Sequence, residues 1–180
     1  MLNRELKRKL KLVLYRSDVL SVATHGVEYW NIKKTGGRLE AMQRKVLLNI
    51  FNRTWRSKIP SMAIYEAIRK LGIRLYPTKL VMAERKLRYF GILRRQQKPD
   101  LASRMFNSDI EGRHSHASHQ LEHFGDIREA LKMLAITPLE STQQYRNEGQ
   151  WRKLLGERKE AMYQKEVEAW KAKYGRQGQL

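Results

Sequence analysis

The chain has 180 residues, of which 41% are hydrophobic and 31% charged, enough apolar content for a real core and too much for a disordered chain. It has no cysteine, which excludes disulfides, thiolate metal sites and thiol nucleophiles. Its 37 Lys and Arg against 18 Asp and Glu leave a net charge of +19, which points to a polyanionic partner.

The charge is unevenly placed. Residues 1–100 hold 24 Lys/Arg and 7 Asp/Glu, a net +17, whereas residues 101–180 hold 13 and 11, a net +2. The first 100 residues are therefore the expected binding surface, with RNA or DNA as the expected partner. No apolar run approaches the roughly 20 residues that span a bilayer, so a membrane is not an expected partner. The segment Met1 to Lys9 lacks the apolar block and cleavage site of a secretory signal, which predicts an intracellular protein, nuclear or cytoplasmic.

In chain order, apolar residues recur with helical spacing from Arg4 to Ala23 through Leu6, Leu10, Val13, Leu14, Leu20 and Val22. Gly36-Gly37 predicts a break, and a second helix is expected from Leu39 to Asn52. A third follows Pro60, from Ser61 to Leu71, and stops at Gly72. A fourth runs from Thr78 to about Gln96. Residues 97–125, with Pro99, Gly112, Gly125 and most of the histidines, read as a linker. Asp126 is expected to cap a short helix through Leu134. Pro138 to Asn147 is irregular, and a long helix follows from about Glu148 to Tyr174, its apolar side formed by Trp151, Leu154, Leu155, Met162, Val167 and Trp170. No alternating strand pattern competes. The predicted fold is all-α, a helical bundle over 1–96, a linker over 97–125 and a helical region over 126–180.

The candidate nucleic-acid-binding residues fall into three clusters. Lys7, Arg8, Lys9 and Lys11 open the first helix; Arg44, Lys45, Arg53 and Arg56 flank the second helix and Trp55. Arg85, Lys86, Arg88, Arg94 and Arg95 form the densest basic helix, with 85, 88 and 95 near one face as a phosphate-tracking stripe would require. Each cluster also reads as an ordinary solvated surface. Trp30, Trp55 and Tyr89 suit base stacking, but large aromatics in helical bundles belong first to the core. Glu28, among apolar and aromatic residues, suits a buried partner for an arginine. His116, His119 and His123 with Glu122 have the composition of a metal site, set within His114-Ser115-His116-Ala117-Ser118-His119-Gln120-Leu121-Glu122-His123. No His-Glu-x-x-His motif accompanies them, and a polar linker is the expected reading. No cofactor is expected.

Five short motifs stand in order: Thr24-His25-Gly26-Val27-Glu28-Tyr29-Trp30, Leu39-Glu40-Ala41-Met42-Gln43-Arg44, Thr54-Trp55-Arg56, Arg85-Lys86-Leu87-Arg88-Tyr89-Phe90-Gly91 and Gln150-Trp151-Arg152. Over about residues 10–155 their order and spacing resemble the region downstream of the catalytic palm in reverse transcriptases of non-long-terminal-repeat (LINE-type) retrotransposons. The resemblance implies a polymerase thumb-like bundle and its connector, which grip a template–primer duplex. It departs in two places: Gly91-Ile92 stands where the family has Gly-His, and His25 where it has Tyr. The paired-aspartate motif of the palm is absent, as are the fingers and an endonuclease, so no two-metal polymerase site is expected. The resemblance thus implies a transposon-derived chain without catalytic activity, at most a sequence-tolerant nucleic-acid-binding module. The alternative is a degenerate remnant with no selected function, which an uncovered apolar face would favour.

Overall fold

Apolar residues at helical spacing decide the architecture, which is all-α with no strand among the described residues. The computed structural model describes residues 7–54, 56, 58–95, 117–137, 141 and 143–175, with 117–124 given by backbone alone. The helices are α1 (Arg8–Leu14), α2 (Leu20–Ala23), α3 (Ile32–Ile50), α4 (Ser61–Lys70), α5 (Thr78–Arg95), α6 (Ala117–Met133) and α7 (Glu148–Tyr174). A π turn (Tyr15–Val19) joins α1 to α2, and a 3-10 turn (Val27–Tyr29) precedes α3. Asn31 and Asn147 cap α3 and α7 by accepting from the amides of Lys34 and Gln150.

Helix α5 is the axis of the molecule and packs against α3, α6 and α7. It runs antiparallel to α3, because Thr78 meets Gln43 while Lys79 and Met82, further along, meet Gly36. It is also antiparallel to α7: Glu84 pairs with Lys159, Leu87 with Trp151, and Arg95 with Glu148. Its inner residues Leu80, Met82, Ala83, Leu87 and Leu93 are almost fully buried. On the other side stand Leu12, Leu47, Leu48, Ile64 and Ile68 from the N-terminal helices, and Ile127, Leu134, Trp151, Leu155 and Val167 from the C-terminal ones, all in one cluster. The expected boundary at residue 96 therefore does not separate two cores.

Two other expectations are corrected. Gly36-Gly37 does not break the chain, because α3 starts at Ile32 and runs through both. Gly36 is buried there, with Lys79 Cγ only 3.2 Å from where a Cβ would lie, so it lets α3 and α5 approach closely. Asp126 is not a helix cap. It lies inside α6, which begins at Ala117 and so occupies the last third of the expected linker. The helices expected near Ser61–Leu71, Thr78–Gln96 and Glu148–Tyr174 form within one residue of those bounds.

Candidate nucleic-acid interface

Polar contacts place the sequence motifs before any surface is considered. In Leu39-Glu40-Ala41-Met42-Gln43-Arg44, the glutamine is the hub: its Oε1 accepts from Tyr65 Oη at 2.7 Å, Thr78 Oγ1 at 2.5 Å and the Thr78 amide at 3.1 Å, all of them buried. Its Nε2 donates to the Tyr76 carbonyl at 3.3 Å. Glu40 pairs with Lys79 at 3.1 Å, and Arg44 donates to the Ile59 carbonyl at 2.9 Å. The motif thus fastens α3 to α4, α5 and the segment before α4. Two more motifs meet directly, since Trp151 Nε1 donates to the Leu87 carbonyl at 2.9 Å and its ring lies over Gly91.

The three basic clusters fare differently. Lys7, Arg8 and Lys9 are exposed and Lys11 is half-buried. The Arg8 guanidinium lies 5.0 Å from the Phe51 ring centre, which carries this cluster to the C-terminal end of α3, where the exposed Arg53 and Arg56 follow. The structure thereby joins the first two clusters at one end of the bundle. Lys45 is exposed on α3, whereas Arg44 is held against the Ile59 carbonyl.

The third cluster does not form the expected stripe. Lys86 points into the protein, 1% exposed, and pairs with Asp126 at 3.3 Å; it is a core cation and leaves the surface set. Burial lowers its pKa, against the pull of Asp126 and of half-buried Glu28. Arg85 donates to the Thr24 carbonyl at 2.8 Å and Arg95 to the Tyr145 carbonyl at 2.8 Å, so both tie the fold together. Arg88 pairs with Glu84 on its own helix at 3.0 Å. Exposed Arg94 lies 5.5 Å over the Phe90 ring. This end is separated from the Arg8–Arg53 end by the length of α5, about 27 Å at 1.5 Å per residue.

Among the aromatics, Trp30 and Tyr89 pack against the core as expected. Tyr29 is 69% exposed and hydrogen-bonds through its hydroxyl to that of Tyr89 at 3.0 Å. Trp55, His114 and His116 lie outside the described residues, as do the side chains of His119, Glu122 and His123.

Sequence clustering missed a set of cations that only the fold brings together: Arg16 on the π turn, Arg74 between α4 and α5, and Lys159 on α7 line one groove with Arg85. Lys159 Nζ lies 2.5 Å from Glu84 Oε2 and 4.5 Å from the Tyr76 ring centre. Beside it, Glu160 accepts from Tyr76 Oη at 2.7 Å and from Arg69. Burial raises the Tyr76 hydroxyl to about 12, with the hydrogen bond to Glu160 and that carboxylate's charge adding to the effect. One signal for Arg74 exists in the sequence: Ile73 and Leu75 alternate with it and are both buried, which turns Arg74 outward. The chain matches no protein-family model, no curated protein and no solved structure.

Proposed function

We propose that this chain is a non-catalytic, sequence-tolerant nucleic-acid-binding module, a thumb-like bundle derived from a LINE-type retrotransposon and lacking the polymerase and endonuclease sites. The observation that carries the reading is a set of exposed cations on the N-terminal half that no carboxylate partners. On α7, four of the cations meet carboxylates: Arg152 pairs with Glu148, Lys153 with Glu157, Lys159 with Glu84 and Lys171 with Glu66. In the N-terminal half, the side chains of Lys7, Lys9, Arg16, Lys45, Arg53 and Arg74 make no hydrogen bond or ion pair with any described residue. Unneutralised cations on a folded body repel one another, and a phosphate backbone removes that cost by releasing counterions.

A duplex of the template–primer kind suits the spacing of the two basic ends along the bundle, since a backbone presents phosphates at regular intervals. Titration of labelled RNA·DNA hybrid, duplex DNA and single-stranded RNA by fluorescence anisotropy over a range of salt tests the reading. Binding near physiological salt that weakens steeply as salt rises is expected; no binding there overturns it.

One observation favours a second reading, a remnant separated from a larger body. Leu10 and Val13 are 45% exposed, Val19 46% and Val22 76%, an apolar face along α1 and α2 that nothing described covers. A melting curve without a cooperative transition would support it.

A further inference from the structure

Midway along the bundle a groove of about 410 Å³ opens between the π turn and α2 on one side and α5 and α7 on the other. Four cations line it, Arg16, Arg74, Arg85 and Lys159, and among the described residues no carboxylate does. Each comes from a different element, so the charge is assembled by the fold.

The four differ in how they are held. Arg85 is fixed by its hydrogen bond to the Thr24 carbonyl, and Lys159 by Glu84 and the face of Tyr76. Glu84 is also shared with Arg88 at 3.0 Å, so a single carboxylate stands behind two cations. Arg16 and Arg74 are exposed, and neither makes a hydrogen bond or ion pair with a described residue. The groove therefore carries two anchored positive charges at its wall and two unengaged guanidinium forks at its rim. An arginine fork matches the paired oxygens of a phosphate group.

The backbone gives an independent pointer. The Leu20 amide donates to the Tyr15 carbonyl, a one-residue expansion of the helix that keeps Tyr15 and Leu20 buried while Arg16 and Ser17 face the groove. Such π turns inside helices are frequent at functional sites. An adjoining cavity of about 690 Å³ shares Arg74, Tyr76 and Lys159, but is also lined by Glu157 and Glu160. Those carboxylates repel an anion and assign it to the first groove.

We propose that this groove seats a phosphodiester group of a bound nucleic-acid strand, with Arg16 and Arg74 closing on its non-bridging oxygens and Arg85 and Lys159 supplying fixed charge behind it. The assignment rests on the nucleic-acid-binding reading and gives it a defined contact point, of which only Arg85 belongs to a sequence cluster.

The test compares the full-length protein with the double variant Arg16→Ala/Arg74→Ala, each titrated against labelled RNA·DNA hybrid and duplex DNA over a range of salt. A second double variant, Arg128→Ala/Lys132→Ala, removes the same charge from exposed positions of α6 outside the groove. Circular dichroism melts check that all three fold alike. Loss of two charge-assisted phosphate contacts predicts at least about tenfold weaker binding and a salt dependence shallower by about two powers of concentration. The α6 variant is expected to stay within about twofold of the unaltered protein, since its cations make no phosphate contact. Equal weakening in both variants, or full affinity in the groove variant, overturns the groove and leaves the binding reading standing. No binding by the unaltered protein overturns both. A labelled mononucleotide that binds as tightly as the strand would make the groove a free-nucleotide site and overturn the strand assignment.

Discussion

Lys86 shows how one residue's environment decides its role. Its neighbours in sequence, Arg85, Arg88, Arg94 and Arg95, all keep some exposure to solvent, yet Lys86 faces Asp126 at 3.3 Å with 1% and 9% of the two side chains exposed. Removing one member of such a pair strands the other charge away from water. Asp126→Asn is expected to lower stability by about 3–5 kcal/mol, whereas Lys86→Met combined with Asp126→Leu should recover most of that loss. Urea denaturation of the three variants checks both statements. Glu160 supplies a pH dependence. Burial opposes its ionisation, but hydrogen bonds from Tyr76, Gln164 and Arg69 outweigh this and hold the carboxyl below its ordinary value of 4.5. A lowered folded-state value means that the unfolded chain takes up the proton first as pH falls. The contribution is therefore present above about 4.5 and lost as pH drops through the folded value. The melting temperature of Glu160→Gln should lie below that of the unaltered protein at pH 6, with the gap narrowing toward pH 3; a gap that does not vary with pH would contradict it.

At the scale of elements, glycines separate two kinds of contact. Gly91 admits the Trp151 ring, because a Cβ there would lie 2.5 Å from Nε1 and 2.6 Å from Cδ1. Gly91→Ala is expected to cost about 1–3 kcal/mol by overpacking and to disturb the Trp151 hydrogen bond to Leu87. Gly37 faces open space on α3, so Gly37→Ala should raise stability by about 0.5–1 kcal/mol. Thermal melts of the two variants, expected to move in opposite directions, check the pair. The same glycines show where local reading of the sequence stops. Gly36-Gly37 reads as a break because glycine weakens an isolated helix, but packing against Lys79 and Met82, distant in sequence and adjacent in space, outweighs that weakness. The long periodic segments Thr78–Arg95 and Glu148–Tyr174 were legible because their apolar faces meet core residues all along their length. Asp126 was misread as a cap, since a mid-helix carboxylate and a capping one look alike until Lys86 is seen beside it. The groove was the least legible feature, as Arg16, Arg74 and Lys159 share no sequence neighbourhood.

Across the whole molecule, α5 binds the two halves into one cooperative body. Its buried side chains contact the N-terminal helices on one side and Trp151 and the Lys159–Glu84 pair on the other. Denaturation is therefore expected to follow one transition with coincident fluorescence and circular dichroism curves. A chain shortened to residues 1–96 should lose that transition, since α5 would expose the face that α6 and α7 cover. Two resolved transitions in the full chain would contradict a single core. The charge pattern belongs to this scale as well, for exposed cations without a carboxylate, among them Lys7, Lys9, Arg16, Lys45, Arg53 and Arg74, stand along the N-terminal half. The most direct test of nucleic-acid binding is the affinity of the full-length protein for an RNA·DNA hybrid measured by anisotropy from low to high salt. Binding that persists near physiological salt is expected, with a logarithmic slope of about −4 or steeper, as several phosphate contacts require. A protein that stays unbound near physiological salt, or whose affinity does not change with salt, would contradict it.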